Sequence, residues 1–194
     1  MLAHVYRDGE VMDLTIVIPV KNPLSLEDFI KSNIEVLKDN KVIVIDSGGG
    51  ETLEPYCEKY FKQDLRMWEA RKLGYAEVTT KFTLNLDSDT ILPLEYVKEA
   101  LEILKNDKAE AVAIDYEKLQ GHYAFGTSIW KTEQLKKLYD YEINLVSDGK
   151  IVKVGSRTYS TLNNGWCECT YMWRKLKLSG GRLETLPFRA KHLK

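Results

Sequence analysis

Two aspartates, Asp87 and Asp89, stand on either side of one serine, directly after the apolar, alternating run Leu84-Asn85-Leu86. Like charges at this spacing repel each other unless a cation or a proton lies between them. Mg²⁺ and Mn²⁺ prefer oxygen ligands, and Mg²⁺ is commonly held by one or two carboxylates together with substrate phosphates. The pattern therefore predicts a divalent cation that bridges the carboxylates to a phosphate.

The same tripeptide has a second interpretation, which is purely structural. Asp87 could begin an Asx-turn, and Asp89 could cap a helix that begins near Pro93 or Leu94. Because D-x-D is short and common, the tripeptide alone leaves both interpretations open.

The surrounding sequence predicts a layered α/β domain that would hold the two aspartates at the end of a strand. Buried strands are predicted at residues 14–20, 41–46, 81–87 and 109–115, and a hairpin at residues 151–162 that turns at Gly155-Ser156. Helices are predicted after Ser25, which would cap the first one with Asp28 at the capping-box position, and at residues 51–61, 66–78, 94–104 and about 166–178. Strands that alternate with helices predict a mostly parallel sheet flanked by helices, and the hairpin predicts a small antiparallel addition in the second half.

Composition excludes several classes of protein. The 194 residues are 44% hydrophobic with a net charge of −1, which fits one domain and argues against a nucleic-acid partner. The three cysteines, Cys57, Cys167 and Cys169, are too few and too irregular for a disulfide framework, so a reducing, cytoplasmic location is expected. We find no secretory signal pattern, and the longest apolar run is too short for a transmembrane segment.

Four segments in order resemble the donor-binding half of GT-A glycosyltransferases similar to family 2. That family has an IVIPxxN first strand, a VIVVDDGS second strand, an ARNxG helix and a D-x-D after an apolar strand. The segments here are LTIVIPVKN, VIVIDSGGGE, EARKLGYAEV and TLNLDSD. The resemblance implies the GT-A fold, in one domain over residues 1–194. About 13–105 would be the nucleotide-sugar-binding half and about 106–194 the acceptor and catalytic half.

The resemblance also implies donor-binding roles for residues at the strand ends. Asp46 would hydrogen-bond the base or ribose, with a turn or cap aspartate as the alternative. Arg71 would face the nucleotide or its diphosphate, with a surface helix arginine as the alternative. Asp87 and Asp89 would hold Mg²⁺ or Mn²⁺ against the diphosphate, and Asp89 is the favoured direct ligand. The remaining donor-site residues would be Pro19, Lys21, Asn22, Ser88 and Gly126, the last either admitting substrate to the backbone or relieving a tight turn.

The region from Gly165 to Pro187 resembles the family's EDxDLxxRLxxxGxxxxxxP segment. Glu168 falls at the position of the catalytic aspartate, with a first-turn glutamate that supports its helix as the alternative. His192 would fold back to complete the metal shell, and His122 has a weaker claim on a phosphate or acceptor. Trp166 and Trp173 could stack on a sugar or belong to the core. One departure concerns Ser47, which replaces the family's second aspartate and leaves the nucleotide preference open.

These residues predict a metal-dependent glycosyltransferase that moves a sugar from a nucleoside-diphosphate sugar to an acceptor hydroxyl, with inversion favoured over retention. The acceptor (glycan, protein or lipid) is not identified, and a homodimer is one way to complete its site. Three alternatives remain: a nucleotide-sugar-binding module without activity, a sugar-phosphate nucleotidyltransferase and an interaction protein with structural carboxylates. The nucleotidyltransferase should carry a Gly-rich basic loop after the first strand, where this chain has VKNPLSLE.

Overall fold

A computed structural model of the chain describes residues 13–117, 123–139, 151–154, 157–160 and 168–193. The strands are β1 (Leu14–Val20), β2 (Lys41–Asp46), β3 (Lys59–Lys62), β4 (Phe82–Asn85), β5 (Thr90–Ile91), β6 (Ala111–Tyr116), β7 (Ile129–Lys131), β8 (Ile151–Val154), β9 (Arg157–Ser160) and β10 (Leu183–His192). The α-helices are α1 (Leu26–Leu37), α2 (Met67–Glu77), α3 (Leu94–Lys105), α4 (Thr132–Leu138) and α5 (Glu168–Leu178), and short 3-10 helices cover Glu51–Tyr56 and Phe125–Thr127.

One sheet of eight strands carries the domain, in the order β3-β2-β1-β4-β7-β6-β10-β5. β7 and β5 run opposite to the other six strands. β8 and β9 pair separately as an antiparallel hairpin. The predicted architecture of a mostly parallel sheet with an antiparallel addition is therefore confirmed.

The central position of β1 in the sheet explains why its sequence is apolar except for Thr15. All seven of its residues are buried, because neighbouring strands flank it and helices cover the sheet. Pro19 sits in this buried strand although proline lacks a backbone N–H. The ladder to β4 ends with the amide of Leu86 donating to the carbonyl of Val17 at 3.1 Å, so no ladder bond on that side is lost at Pro19.

The predicted helix over residues 51–61 is wrong beyond Tyr56. The chain leaves the short 3-10 helix and forms β3, which pairs in parallel with the edge of β2. Pro55 cannot continue an α-helix because it lacks an N–H, and the open edge of β2 offers backbone partners to the residues that follow.

The predicted start of α1 is confirmed, but the predicted cap is not. Ser25 occupies the N-cap position without a side-chain bond to the helix backbone. Its hydroxyl donates instead to the carboxylate of Asp28 at 2.7 Å, so the two side chains of the expected capping box bind each other.

Among the described residues, no helix is long and apolar enough to cross a membrane. Within the described part of the chain, Cys57 and Cys169 are not in disulfide bonds. Cys167, Trp166, His122 and the Gly155-Ser156 turn lie outside the described residues.

Candidate active site

The carboxyl ends of β2, β1 and β4 meet at one edge of the sheet because these three strands are parallel neighbours. The loops that follow β1 and β2 are joined there by backbone hydrogen bonds. The amide of Asn22 donates to the carbonyl of Gly48 at 2.8 Å, and that of Ser47 donates to the carbonyl of Val20 at 2.8 Å. This is the edge at which ligands bind in open α/β sheets.

The carboxylates of Asp87 and Asp89 contact different side chains. Arg71 donates from Nη2 to the carboxylate of Asp87. The Oδ2 of Asp89 lies 3.4 Å from Nδ1 of His192. The repulsion expected between two adjacent aspartates is thus relieved by turning them toward different groups.

The structural interpretation of the D-x-D segment is wrong in its details. The amide of Thr90 donates at 3.0 Å to the backbone carbonyl of Asp87, so this turn does not use the carboxylate. Asp89 does not cap α3, whose N-cap residue is Pro93. The short strand β5 lies between Asp89 and α3 in the chain, and the Asp89 side chain is half-exposed at the sheet edge.

Strand β10 brings His192 back to Asp89. β10 pairs antiparallel with β5 and sets His192 opposite Thr90, and the amide of Leu193 donates to the carbonyl of Asp89 at 2.7 Å. The imidazole stacks on Tyr116, with ring centroids 4.2 Å apart. The expected return of His192 to the acidic pair is observed, and its role toward a metal stays a prediction.

A buried asparagine from α1 fixes the turn that carries Asp89. Asn33 is 1% exposed and donates to the carbonyl of Thr90 at 2.9 Å, while its Oδ1 accepts the amide of Leu92 at 3.0 Å. One bond reaches the first residue of β5 and the other reaches the residue after it, so the position of Asp89 depends on α1 as well as on β4.

Arg71 is buried at the centre of the site, so the alternative interpretation of Arg71 as a surface helix arginine is wrong. It is 3% exposed and its guanidinium lies 5.3 Å from the centroid of the Phe125 ring. One guanidinium nitrogen donates to Asp87 and the other to Glu168. Burial is the largest single influence on the pKa of Arg71 and lowers it, but Asp87, Tyr75, Tyr139 and Cys169 together raise the pKa by more, so it lies above its ordinary value. To contact a diphosphate, the guanidinium would have to release one of its carboxylates.

Glu168 is the first residue of α5 and reaches the same site from 97 residues farther along the chain than Arg71. Its Oε2 accepts from Arg71, and its Oε1 accepts from the hydroxyl of Tyr139 at 2.5 Å. The side chain is 17% exposed, so part of it remains open to a ligand. The carboxylate of Glu168, which is predicted to be catalytic, therefore binds the same guanidinium as Asp87 of the D-x-D segment.

Gly126 is required by Asp87 and not by the turn in which it lies. Its φ is outside the left-handed region, but a Cβ at this position would overlap the carboxylate of Asp87. The amide of Asp87 also donates to the carbonyl of Gly126 at 3.0 Å. The turn-relief interpretation is therefore wrong, and close approach of the Asp87 side chain explains the glycine.

A Gly126→Ala substitution should cost about 1 to 3 kcal/mol of stability, the usual penalty for overpacking. The added methyl group must push Asp87 away from Arg71, and urea unfolding measures the loss. The matched control is the same substitution in an Asp87→Ala background, in which no carboxylate meets the new methyl. An equal loss in both backgrounds would contradict this explanation.

Asp46 is a turn aspartate, which was the alternative to its predicted role in binding the base or ribose. It is fully buried, and its two oxygens accept the amide of Gly48 at 2.7 Å and the hydroxyl of Tyr60 at 2.5 Å. Burial and the neighbouring charge of Asp46 raise the pKa of Tyr60 well above its ordinary value, so the phenol stays protonated and donates. As placed, Asp46 offers no exposed surface to a base or ribose.

The remaining predicted donor-site residues differ in access. Lys21 is exposed and pairs with Asp64 at 3.0 Å, and Asn22 is exposed with a left-handed φ of 50°. Ser88 is partly exposed, whereas Pro19 is buried in β1. Lys21, Asn22 and Ser88 can therefore reach a ligand directly, and Pro19 only shapes the strand beneath it.

Two other residues named from the sequence have structural roles. Ser47 accepts the amide of Leu65 at 3.2 Å, so its hydroxyl is used within the fold. Trp173 is fully buried and stacks on Trp130, with centroids 5.5 Å apart, so it belongs to the core and does not offer a face to a sugar.

Asp89 and His192 are the side chains best placed to hold a divalent cation. Within the described ranges, no group of three or more His, Cys, Asp or Glu side chains could hold a metal by itself. The 3.4 Å between Asp89 and His192 suits one shared ion, because adjacent ligands about 2.1 Å from a cation are about 3 Å apart. An imidazole with a carboxylate fits Mn²⁺ better than Mg²⁺, and diphosphate oxygens and water would complete the shell.

Three contributors to this site were missed by sequence reasoning: Tyr139, Tyr60 and Asn33. Each acts through a tertiary contact, and none occurs in a motif. Tyr60 was assigned to a helix that the structure replaces with β3, so only recognition of that strand could have placed it beside Asp46.

Comparison with known proteins identifies this arrangement of elements. The glycosyl transferase family 2 model matches residues 15–168. No curated protein sequence matches the chain significantly.

Three solved structures share the fold. TarS 1-349 from S. aureus superposes with a TM-score of 0.63 at 15% identity, over 94% of this chain and 60% of that chain. Its complex with UDP-GlcNAc gives 0.58 at 14% identity, over 94% and 59%. The mannosyltransferase PcManGT from Pyrobaculum calidifontis, in complex with GDP-Man and Mn²⁺, gives 0.61 at 15% identity, over 94% and 56%. The chain therefore has the predicted GT-A fold and spans about 60% of the length of the TarS fragment.

Proposed function

Because the chain belongs to glycosyl transferase family 2, we propose that it transfers a sugar from a nucleoside-diphosphate sugar to an acceptor hydroxyl. The observation that carries the proposal is the bridge by Arg71 between Asp87 and Glu168. It joins the D-x-D segment at the strand end to the carboxylate at the start of α5. Only the guanidinium of Arg71 thus separates Asp87, a proposed donor-binding residue, from Glu168, the proposed base.

The donor would lie over the carboxyl ends of β1, β2 and β4. Asp89 and His192 would hold Mg²⁺ or Mn²⁺, with Mn²⁺ favoured by the imidazole, and Asp87 would orient the diphosphate side of the site. A bound cation would offset the negative charge that the diphosphate gains on leaving. One fold neighbour was solved in complex with UDP-GlcNAc and another with GDP-Man and Mn²⁺. Sugars linked to UDP and to GDP are therefore both candidate donors.

Glu168 would act as the general base of an inverting transfer. The acceptor oxygen attacks the anomeric carbon as its proton passes to the carboxylate of Glu168, and the bond from that carbon to the diphosphate breaks. The 17% exposure of the side chain leaves it accessible to an acceptor. Arg71 and Tyr139 both donate to Glu168, and such bonds favour the ionised form that a general base requires.

Further parts of the proposal concern organisation. Residues 13–105 would bind the donor and residues 106–194 the acceptor, whose class (glycan, protein or lipid) is left to experiment, and a homodimer would complete an open acceptor site. We also propose a reducing, cytoplasmic setting, because three irregularly spaced cysteines do not suit a disulfide framework.

An Asp89→Asn substitution should weaken donor binding at least about 10-fold when Mn²⁺ is present, because it removes a charged ligand. Thermal stabilisation by UDP-GlcNAc and GDP-Man, with and without Mn²⁺, measures binding, and nucleotide release measures turnover. The matched control is Asp39→Asn, an aspartate in the turn after α1. Metal-dependent binding without turnover in the wild type would favour a binding module, and equal binding by the Asp89 and Asp39 variants would contradict the site.

A further inference from the structure

We propose that Tyr139 is a positioning residue that fixes the direction of the Glu168 carboxylate. The inference rests on the proposed function, in which Glu168 is the base. Tyr139 follows α4 directly, and its hydroxyl lies 2.5 Å from Oε1 of Glu168.

Arg71 alone cannot fix this carboxylate. It divides its guanidinium between two acids, giving one nitrogen to Asp87 and one to Glu168, so it cannot form the bidentate pair that would orient a carboxylate plane. Its Nε finds no partner among the described residues. One donor on Oε2 leaves Glu168 free to rotate, and a second donor on Oε1 removes that freedom.

Tyr139 is itself held rigidly. It is 7% exposed, and its ring packs edge-on against Tyr75 with centroids 4.8 Å apart and parallel to Phe125 with centroids 5.9 Å apart. Its amide donates to the carbonyl of Leu135 at 2.8 Å. A side chain restrained in this way can transmit its position to Glu168.

The hydroxyl proton of Tyr139 is directed at Glu168. Burial raises the pKa of Tyr139 well above its ordinary value although Arg71 opposes the shift, so the phenol stays protonated. Both oxygens near the hydroxyl are acceptors, and the carbonyl of Trp68 is at 3.3 Å against 2.5 Å for the charged carboxylate. The shorter, charge-assisted bond therefore takes the proton.

The two donors also determine which part of Glu168 can react. A carboxylate offers about four lone-pair positions, and Arg71 and Tyr139 occupy one on each oxygen. The side chain is 17% exposed, and we expect an acceptor hydroxyl to approach the positions that the two donors leave unoccupied. Among the described residues, the ionisable groups near Glu168 include Arg71, Tyr139 and Cys169, with Asp87 across the guanidinium and with Tyr75 and Tyr171 near Tyr139.

The test is a Tyr139→Phe substitution with Tyr75→Phe as the matched control. Both variants lose a buried hydroxyl that donates to a side chain, but the hydroxyl of Tyr75 donates to Asn85 and not to Glu168. Nucleotide release from UDP-GlcNAc and GDP-Man with Mn²⁺ gives kcat, KM and their pH profiles. Tyr139→Phe should lower kcat roughly 10- to 100-fold with KM for the donor unchanged. The acid limb of its kcat/KM profile should move to higher pH because the ionised carboxylate loses a donor, whereas Tyr75→Phe should leave the limb in place.

A double-mutant cycle and a structure complete the test. In a Glu168→Gln background, Tyr139→Phe should have almost no further effect on kcat, since its role acts through the carboxylate. In a crystal structure of Tyr139→Phe, which needs no substrate, the Glu168 carboxylate should turn or take several conformers. An unmoved carboxylate, or a pH profile and kcat that match those of Tyr75→Phe, would overturn the inference. A Glu168→Gln variant as active as the wild type would instead overturn the proposed base.

Discussion

Replacement of Arg71 by leucine is expected to lower the free energy of unfolding by about 3 to 5 kcal/mol, the usual cost of removing one partner from a buried ion pair. The substitution leaves the carboxylates of Asp87 and Glu168 without their common cation, at side-chain exposures of only 27% and 17%. Urea unfolding at neutral pH measures the loss. Leucine keeps an apolar side chain at this buried position, and the loss includes the contact of the guanidinium with the Phe125 ring as well as the two ion pairs.

Two further variants separate charge from packing. Lys72→Leu alters the exposed neighbour on the same helix and should change stability by less than about 0.5 kcal/mol. A triple variant, Arg71→Leu with Asp87→Asn and Glu168→Gln, removes all three charges and should regain a large part of the loss, since neutral amides cost less to bury than unpaired carboxylates. If Arg71→Leu were as stable as Lys72→Leu, the arginine would not hold the site together.

Substitution of Glu168 by glutamine should lower kcat about 10²- to 10⁴-fold, the usual contribution of a general base. The amide keeps the size of the side chain but cannot accept the acceptor's proton. Donor binding, measured by calorimetry with UDP-GlcNAc or GDP-Man and Mn²⁺, should stay close to that of the wild type because Glu168 lies on the acceptor side of the proposed site.

The matched control for this variant is Glu95→Gln, an exposed glutamate in the first turn of α3. It tests the other role that the sequence allowed for Glu168, namely favourable interaction with the start of its helix. Small and equal changes in activity for both variants would favour that helix role and contradict a base at Glu168.

The strands and helices were largely predictable where one physical signal dominated. β1 and β2 were placed at their observed bounds because a strand buried on both faces must be continuously apolar. The segment from Glu51 to Phe61 was misassigned because its outcome depends on pairing with the edge of β2, and this long-range contact leaves no periodic trace.

The candidate site was only partly predictable. The resemblance named Asp87, Asp89, Glu168 and His192. Strand pairing brings the two aspartates and His192 to one edge of the sheet, and Glu168 reaches it from the start of α5. It did not foresee that Arg71 would turn inward to two carboxylates 16 and 97 residues away in sequence. Side-chain partners of this kind are set by tertiary packing, whereas motifs record only which residue types recur along the chain.

The location of bound manganese tests the central claim most directly. Anomalous scattering from crystals grown with Mn²⁺ and a UDP- or GDP-sugar would place the ion without reference to any model of the mechanism. We expect one peak within coordination distance of the Asp89 carboxylate, with the sugar's diphosphate on its far side and Glu168 facing the anomeric carbon. A donor bound away from this edge, with no manganese beside Asp89, would contradict the account.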